Sequence, residues 1–120
     1  MSRTIVYKVF TPAQWSVAFE AGRFTGAPID LADGFIHLSS AHQLVETVRK
    51  HFRGQGELVI ASFDADLLGS DLQWEVSRGG DLFPHLYSPL LLADVIESFT
   101  LPIDDDGEHA FPPGPWDKTA

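Results

Sequence analysis

Apolar and polar positions alternate through residues 4–10, TIVYKVF, and the stretch is rich in β-branched and aromatic side chains, so it predicts a strand. A helix start follows at once. Thr11 is placed as the N-cap, Pro12 as the first helical residue and Gln14 as the capping-box partner, with Phe10 and Trp15 forming a hydrophobic staple around them. Trp15, Ala18 and Phe19 share one helical face, and Gly22 ends the helix. Residues 23–34 hold Gly26, Pro28, Asp30, Asp33 and Gly34 and read as a loop. A short strand at 35–39 comes next, then a helix from about 41 to 52. Its Ala41, Leu44, Val45, Val48 and Phe52 fit one stripe of a 3.6-residue period. Glu46 precedes Lys50 by four residues on the exposed face, a pair stabilising the helix by roughly 0.3–0.5 kcal/mol. His42 and His51 lie off the stripe as surface histidines.

Gly54 and Gly56 break the chain before residues 58–63, LVIASF, a nearly continuous apolar run that predicts a central, buried strand. Residues 64–70 read as a short helical turn or loop. Residues 72–77 form another strand, with Leu72, Trp74 and Val76 on the core face and Gln73, Glu75 and Ser77 opposite. A Gly79-Gly80 turn leads into FPHLY at 83–87, where Pro84 marks an edge or irregular segment. Residues 94–101 make the last strand. Beyond Pro102 there is turn and extended composition without a period. Residues 1–103 are therefore read as a single domain and 104–120 as an extended C-terminal tail, pinned by Phe111 or Trp116. Two strand–helix units followed by a run of strands imply an α+β fold, since a doubly wound parallel sheet would continue the alternation.

Composition narrows the function. A net charge of −9 and a pI near 4.7 argue against a nucleic-acid footprint and against an anionic membrane surface, both of which need a basic face. The absence of cysteine excludes disulfides, thiolate metal sites and cysteine nucleophiles. No apolar run nears the roughly 20 residues that span a bilayer, and the N-terminus has no signal-peptide core, so the default compartment is the cytoplasm.

The chemistry-bearing stretch is DGFIHLSS at 33–40. Asp33-Gly34 is a turn signal, and strand parity sends Ile36 and Leu38 one way and Phe35, His37 and Ser39 the other. His37 and Ser39 then sit beside the start of a helix at Ser39 or Ser40, whose backbone N–H groups favour an anion such as phosphate or carboxylate. The competing reading is a core histidine bonded to backbone, with Ser39 or Ser40 a plain N-cap contributing about 1 kcal/mol. Glu75, in a strand among polar neighbours of its own face, suits a general base or a grip on a cation or sugar hydroxyl; otherwise it is an exposed edge carboxylate. His85 and Tyr87 share a face with Phe83 and suit stacking on a nucleobase or nicotinamide, or else form a rim of core aromatics. No phosphate loop, dinucleotide fingerprint or nucleophile elbow is present; a metal site of His37, Glu75 and His85 is conceivable, but its spacing is not diagnostic. Arg49, Lys8, Arg23 and Arg78 are the candidate cationic contacts.

DGFIHLSS followed by a helix, then Glu75, then LFPHLY at 82–87, resembles the uncharacterised bacterial family called domain of unknown function 952, over roughly residues 4–101. That family is grouped with the ADP-ribosyltransferase-like superfamily. The resemblance implies a split β-sheet core with two or three helices around an NAD-binding cleft. By position, His37 resembles the strand histidine that contacts the NAD ribose, and Glu75 resembles the later catalytic glutamate in a surrounding motif different from that of the toxins. His85 and Tyr87 match the family's own motif. Together these imply Glu75 and His37 as catalytic, with His37, Ser39, Ser40, His85 and Tyr87 around a bound NAD or ADP-ribose-type nucleotide, and an ADP-ribosyltransferase-like enzyme. The other readings are a non-catalytic module for a small anion or metabolite, and an interaction domain without a ligand.

Overall fold

The segment that raised the functional question turns out to belong to two sheets. A computed structural model describes residues 4–117; residues 1–3 and 118–120, the outer ends of the expected domain and tail, lie outside the described residues, as does the Arg78 side chain. The elements run β1 (Ile5–Phe10), α1 (Pro12–Ala21), β2 (Arg23–Phe24), α2 (Pro28–Asp33), β3 (Ile36–His37), β4 (Ser39–Ser40) and α3 (Ala41–His51) in the first half. The second half holds β5 (Leu58–Asp64), α4 (Ala65–Leu68), β6 (Leu72–Val76), β7 (Leu82–Leu86), β8 (Leu90–Leu91) and β9 (Glu97–Leu101), with short 3-10 turns between some of them. One sheet has the order β4-β1-β5-β9, a second β3-β7-β6, and β2 pairs with β8. Every pairing is antiparallel. The architecture is α+β, with four α-helices among the described residues where two or three were expected.

The local signals at the first helix act as the sequence predicts. Thr11 Oγ1 accepts from the Gln14 N–H at 3.2 Å, Gln14 Oε1 accepts from the Thr11 N–H at 3.0 Å, and the Phe10 and Trp15 rings meet edge to face at 5.1 Å. Gly22 closes the helix in the left-handed region, at φ 81°. Phe19 departs from the expectation. It is 69% exposed, because β1 and β5 receive α1 through Ala18 and Trp15 and leave the position after Ala18 turned outward. Residues 23–34 are not a bare loop: they contain β2 and the six-residue α2, which has Pro28 in its first turn and no apolar stripe long enough to give a period.

β5 is the central buried strand expected, flanked by β1 and β9. Because β1 and β5 are covered on both faces, two cores form. Val6, Phe10, Ile36, Leu38, Phe63, Leu72 and Leu86 fill one. Tyr7, Val9, Leu44, Val48, Leu58, Ile60 and Leu101 fill the other, under α3. The chain after Pro102 closes over this second core: Trp116 meets Tyr7 at 5.8 Å and Phe99 at 5.6 Å between ring centres, and the His109 ring reaches the Gly56 carbonyl at 2.7 Å. On β6 only Leu72 is buried. Trp74 and Val76, expected on the core face, are 40% and 70% exposed, because β6 is the sheet edge and the hairpin it forms with β7 extends past the first core.

The predicted strand at 35–39 is split at Leu38. Ile36 and His37 pair with Leu86 and His85 of the three-stranded sheet, whereas Ser39 and Ser40 pair with Tyr7 and Val6 of the four-stranded one. Leu38, buried between them, donates its N–H to the Pro84 carbonyl at 3.0 Å. No helix among the described residues is long and apolar enough to cross a membrane.

Two truncations separate core from surface. Ile36→Ala, at a buried site joining the sheets, is expected to lower stability by roughly 2–5 kcal/mol in urea unfolding. Phe19→Ala is expected to change it by no more than about 0.5 kcal/mol. Equal losses would contradict the packing described here.

Candidate functional site

Strand parity puts Lys8 on the same face of β1 as Val6 and Phe10, inside the first core, where it is 6% exposed. A cation there needs a partner. Asp30, 2% exposed and projecting from α2, supplies it: Lys8 Nζ donates to Asp30 Oδ2 at 3.1 Å and to the His37 carbonyl at 3.0 Å. Lys8 also lies 5.6 Å from the centre of the Phe24 ring. The Asp30 carboxylate accepts further bonds from the Ala27 N–H at 2.7 Å, the His37 N–H at 3.0 Å and His37 Nδ1 at 2.7 Å. Burial alone would raise its pKa; the His37 side chain, the Lys8 ammonium and the two backbone donors outweigh that and bring it from 3.8 down to about 2. Burial pushes the Lys8 pKa down, against the opposing pull of Asp30.

His37 is thus anchored through Nδ1, with its ring partly open to solvent. Its other nitrogen, Nε2, lies 2.9 Å from Asp33 Oδ2. Around it stand aromatic rings: Phe35 at 4.5 Å and His85, its cross-strand partner on β7, at 5.6 Å between centres. Phe35 stacks on His85 at 4.0 Å and approaches Tyr87 at 5.4 Å. The Glu75 carboxylate closes this group from β6. Its Oε1 accepts from the Tyr87 hydroxyl at 2.7 Å and from His85 Nδ1 at 2.8 Å. Those two bonds, Tyr87's first, hold the Glu75 carboxyl below the ordinary range, and Glu75 in return raises the Tyr87 phenol.

The structure therefore brings together His37, Glu75, His85 and Tyr87. Ser39 and Ser40 stand apart, because the chain changes sheets at Leu38 and strand parity no longer carries across that point. Ser39 is buried, with its Oγ 2.9 Å from Thr47 Oγ1 on α3. The Ser40 N–H donates to Gln43 Oε1 at 3.0 Å, and Ser40 lines a separate groove of about 380 Å³ with Gln43, Thr47, Lys50, Asp81 and Phe83. Among the candidate cations, Lys8 is spent on Asp30, while Arg23 and Arg49 are exposed on β2 and α3. Two members of the site, Asp30 and Asp33, were absent from the sequence candidates. Asp30 carried one signal: it follows Pro28 at the third position of a helical turn, where an acid reaches back to the preceding amide. Among the described residues, no group of three or more His, Asp or Glu side chains is arranged so that it could hold a metal ion.

The Asp30 carboxylate makes stability depend on pH. Its folded pKa lies below the unfolded value, so its contribution is complete above about pH 4 and disappears as pH falls through about 2. At about 1.4 kcal/mol per pH unit, the contribution is on the order of 2 kcal/mol. Asp30→Asn leaves Lys8 buried without its counter-charge and is expected to cost roughly 3–5 kcal/mol at neutral pH. Urea unfolding of both proteins should show the gap narrowing as pH drops from 4 towards 2. A gap independent of pH would remove the ionised carboxylate from the explanation.

No curated protein matches the chain. The crystal structure of protein CC0527 from Caulobacter crescentus is similar, with 50% identity over 89% of this chain and 94% of that one and a TM-score of 0.85. The solution NMR structure of CC0527 gives 51% identity over 87% and 90% of the two chains, with a TM-score of 0.77. Residues 9–98 match the family described as protein of unknown function (DUF952), and the chain belongs to that family.

Proposed function

We propose that the group around His37 is a cleft for the nicotinamide–ribosyl end of NAD or a related ADP-ribose nucleotide, within an ADP-ribosyltransferase-like fold, and that its chemistry is glycosyl transfer. The observation that carries this reading is the anchored His37 imidazole, set beside Phe35 and facing the Glu75–His85–Tyr87 chain. Aromatic surface next to an ionised carboxylate suits a flat, positively charged ring better than it suits a bare anion. NAD supplies such a ring, joined to ribose by a bond that breaks with the electron pair leaving on nicotinamide. His37, fixed by Asp30, orients the ribose through a hydrogen bond. Tyr87 and Phe35 offer ring surface to the departing base. Glu75, whose Oε1 takes both the His85 and Tyr87 bonds, stabilises the positive charge that develops at the ribosyl carbon until an acceptor adds there and gives up its proton to water.

Titration with NAD, followed by amide resonances, is expected to move residues 35–37, 75 and 85–87. His37→Ala should weaken binding roughly ten-fold, the effect of one well-placed hydrogen bond. Glu75→Gln should keep binding and slow nicotinamide release by about 10²–10³-fold, as expected for the loss of one electrostatic contact to the transition state. If millimolar NAD leaves these resonances in place, the nucleotide reading is wrong. Binding without nicotinamide release would instead favour a non-catalytic module.

A further inference from the structure

We infer that Asp33 is an internal competitor at His37: it occupies the ring nitrogen that a ligand has to reach, so that a ligand of this cleft brings an oxygen acceptor to take its place. The inference rests on reading His37 as a ligand contact. The two nitrogens of this ring are held very differently. Nδ1 is bound to Asp30, which is itself buried and carries Lys8, the Ala27 amide and the His37 amide. Freeing Nδ1 would leave a buried charge network incomplete, so that side of the ring is fixed. Nε2 meets Asp33, whose side chain is 47% exposed at 2.9 Å.

Asp33 is the last residue of α2, and Gly34 follows it in the left-handed region at φ 86°. The α2 C-terminus is closed by backbone alone: the Gly34 and Phe35 N–H groups donate to the Asp30 carbonyl at 2.8 and 3.2 Å. The Asp33 carboxylate therefore has no part in ending the helix. Rotation about its own side-chain bonds releases His37 without moving α2. An exposed contact between residues four apart is weak, so a ligand oxygen displaces it at a small cost in affinity. Asp33 also sets selectivity. A ligand group with only donors or apolar atoms at this point gains nothing to replace the carboxylate it expels, whereas a phosphate, carboxylate or ribose hydroxyl does.

The test compares wild type with Asp33→Ala and the shape-conserving Asp33→Asn, using NAD and inorganic phosphate as probes and the His37 ring ¹⁵N resonances as the readout. Asp33→Ala, which removes the competing acceptor, is expected to tighten binding about two- to five-fold, the equivalent of one exposed contact, and Asp33→Asn, which keeps an acceptor oxygen but loses the charge, to tighten it by less. Tighter NAD binding by both variants supports the inference together with the nucleotide reading. If NAD binds no protein but phosphate shifts Nε2 of both variants at lower concentration than in wild type, Asp33 keeps its role and the nucleotide reading falls. If neither probe binds the variants more tightly than wild type, the Asp33 inference is overturned, whatever wild type does with NAD.

Discussion

Burying Lys8 in the first core places a condition on everything around it. An ammonium on the same strand face as Val6 and Phe10 is tolerable only if a carboxylate reaches it. Asp30 does so from α2, and in doing so ties three elements from different parts of the chain: β1 of one sheet, the short helix, and β3 of the other sheet through the His37 amide and ring. Hydrophobic packing alone would have no reason to choose this register. The ion pair, with its backbone donors, supplies a directional one, and its cost is offset because Lys8 donates to both Asp30 and the His37 carbonyl while Asp30 also accepts from two backbone amides and His37 Nδ1. The described residues leave no buried side-chain nitrogen or oxygen without a hydrogen-bond partner.

The same network is what turns a histidine in an apolar segment into a chemical group. A ring held at Nδ1 by a buried carboxylate has one orientation and presents one nitrogen outward. The second histidine repeats the device from the opposite side. His85 is held at Nδ1 by Glu75, which also takes the Tyr87 hydroxyl, and Phe35 packs against both imidazoles. Because β7 lies at the centre of its three-stranded sheet, His85 can face His37 on one side while its carboxylate comes from β6 on the other. Both histidines are therefore positioned by rigid strands, with the exposed carboxylates Asp33 and Glu75 at the rim.

Local signals in the sequence were enough for much of the frame. The Thr11–Gln14 capping box, the Gly22 stop, the α3 stripe and the apolar run of β5 each depend on neighbours a few residues away, so they could be read directly. The grouping of His37 with Glu75, His85 and Tyr87 was also legible, from strand parity and from the resemblance carried by GFIHLS and FPHLY. Parity failed at Ser39 and at Trp74, for related reasons. It says which face of its own strand a residue takes, but not that the chain leaves one sheet for another at Leu38, nor that β6 ends up at an edge with its outer half uncovered. What only the tertiary structure decided was the meeting of Lys8, Asp30 and His37. Residues 22 and 29 positions apart along the chain are brought together by burial, and an isolated aspartate in a short, aperiodic segment carries no mark of the charge it will neutralise.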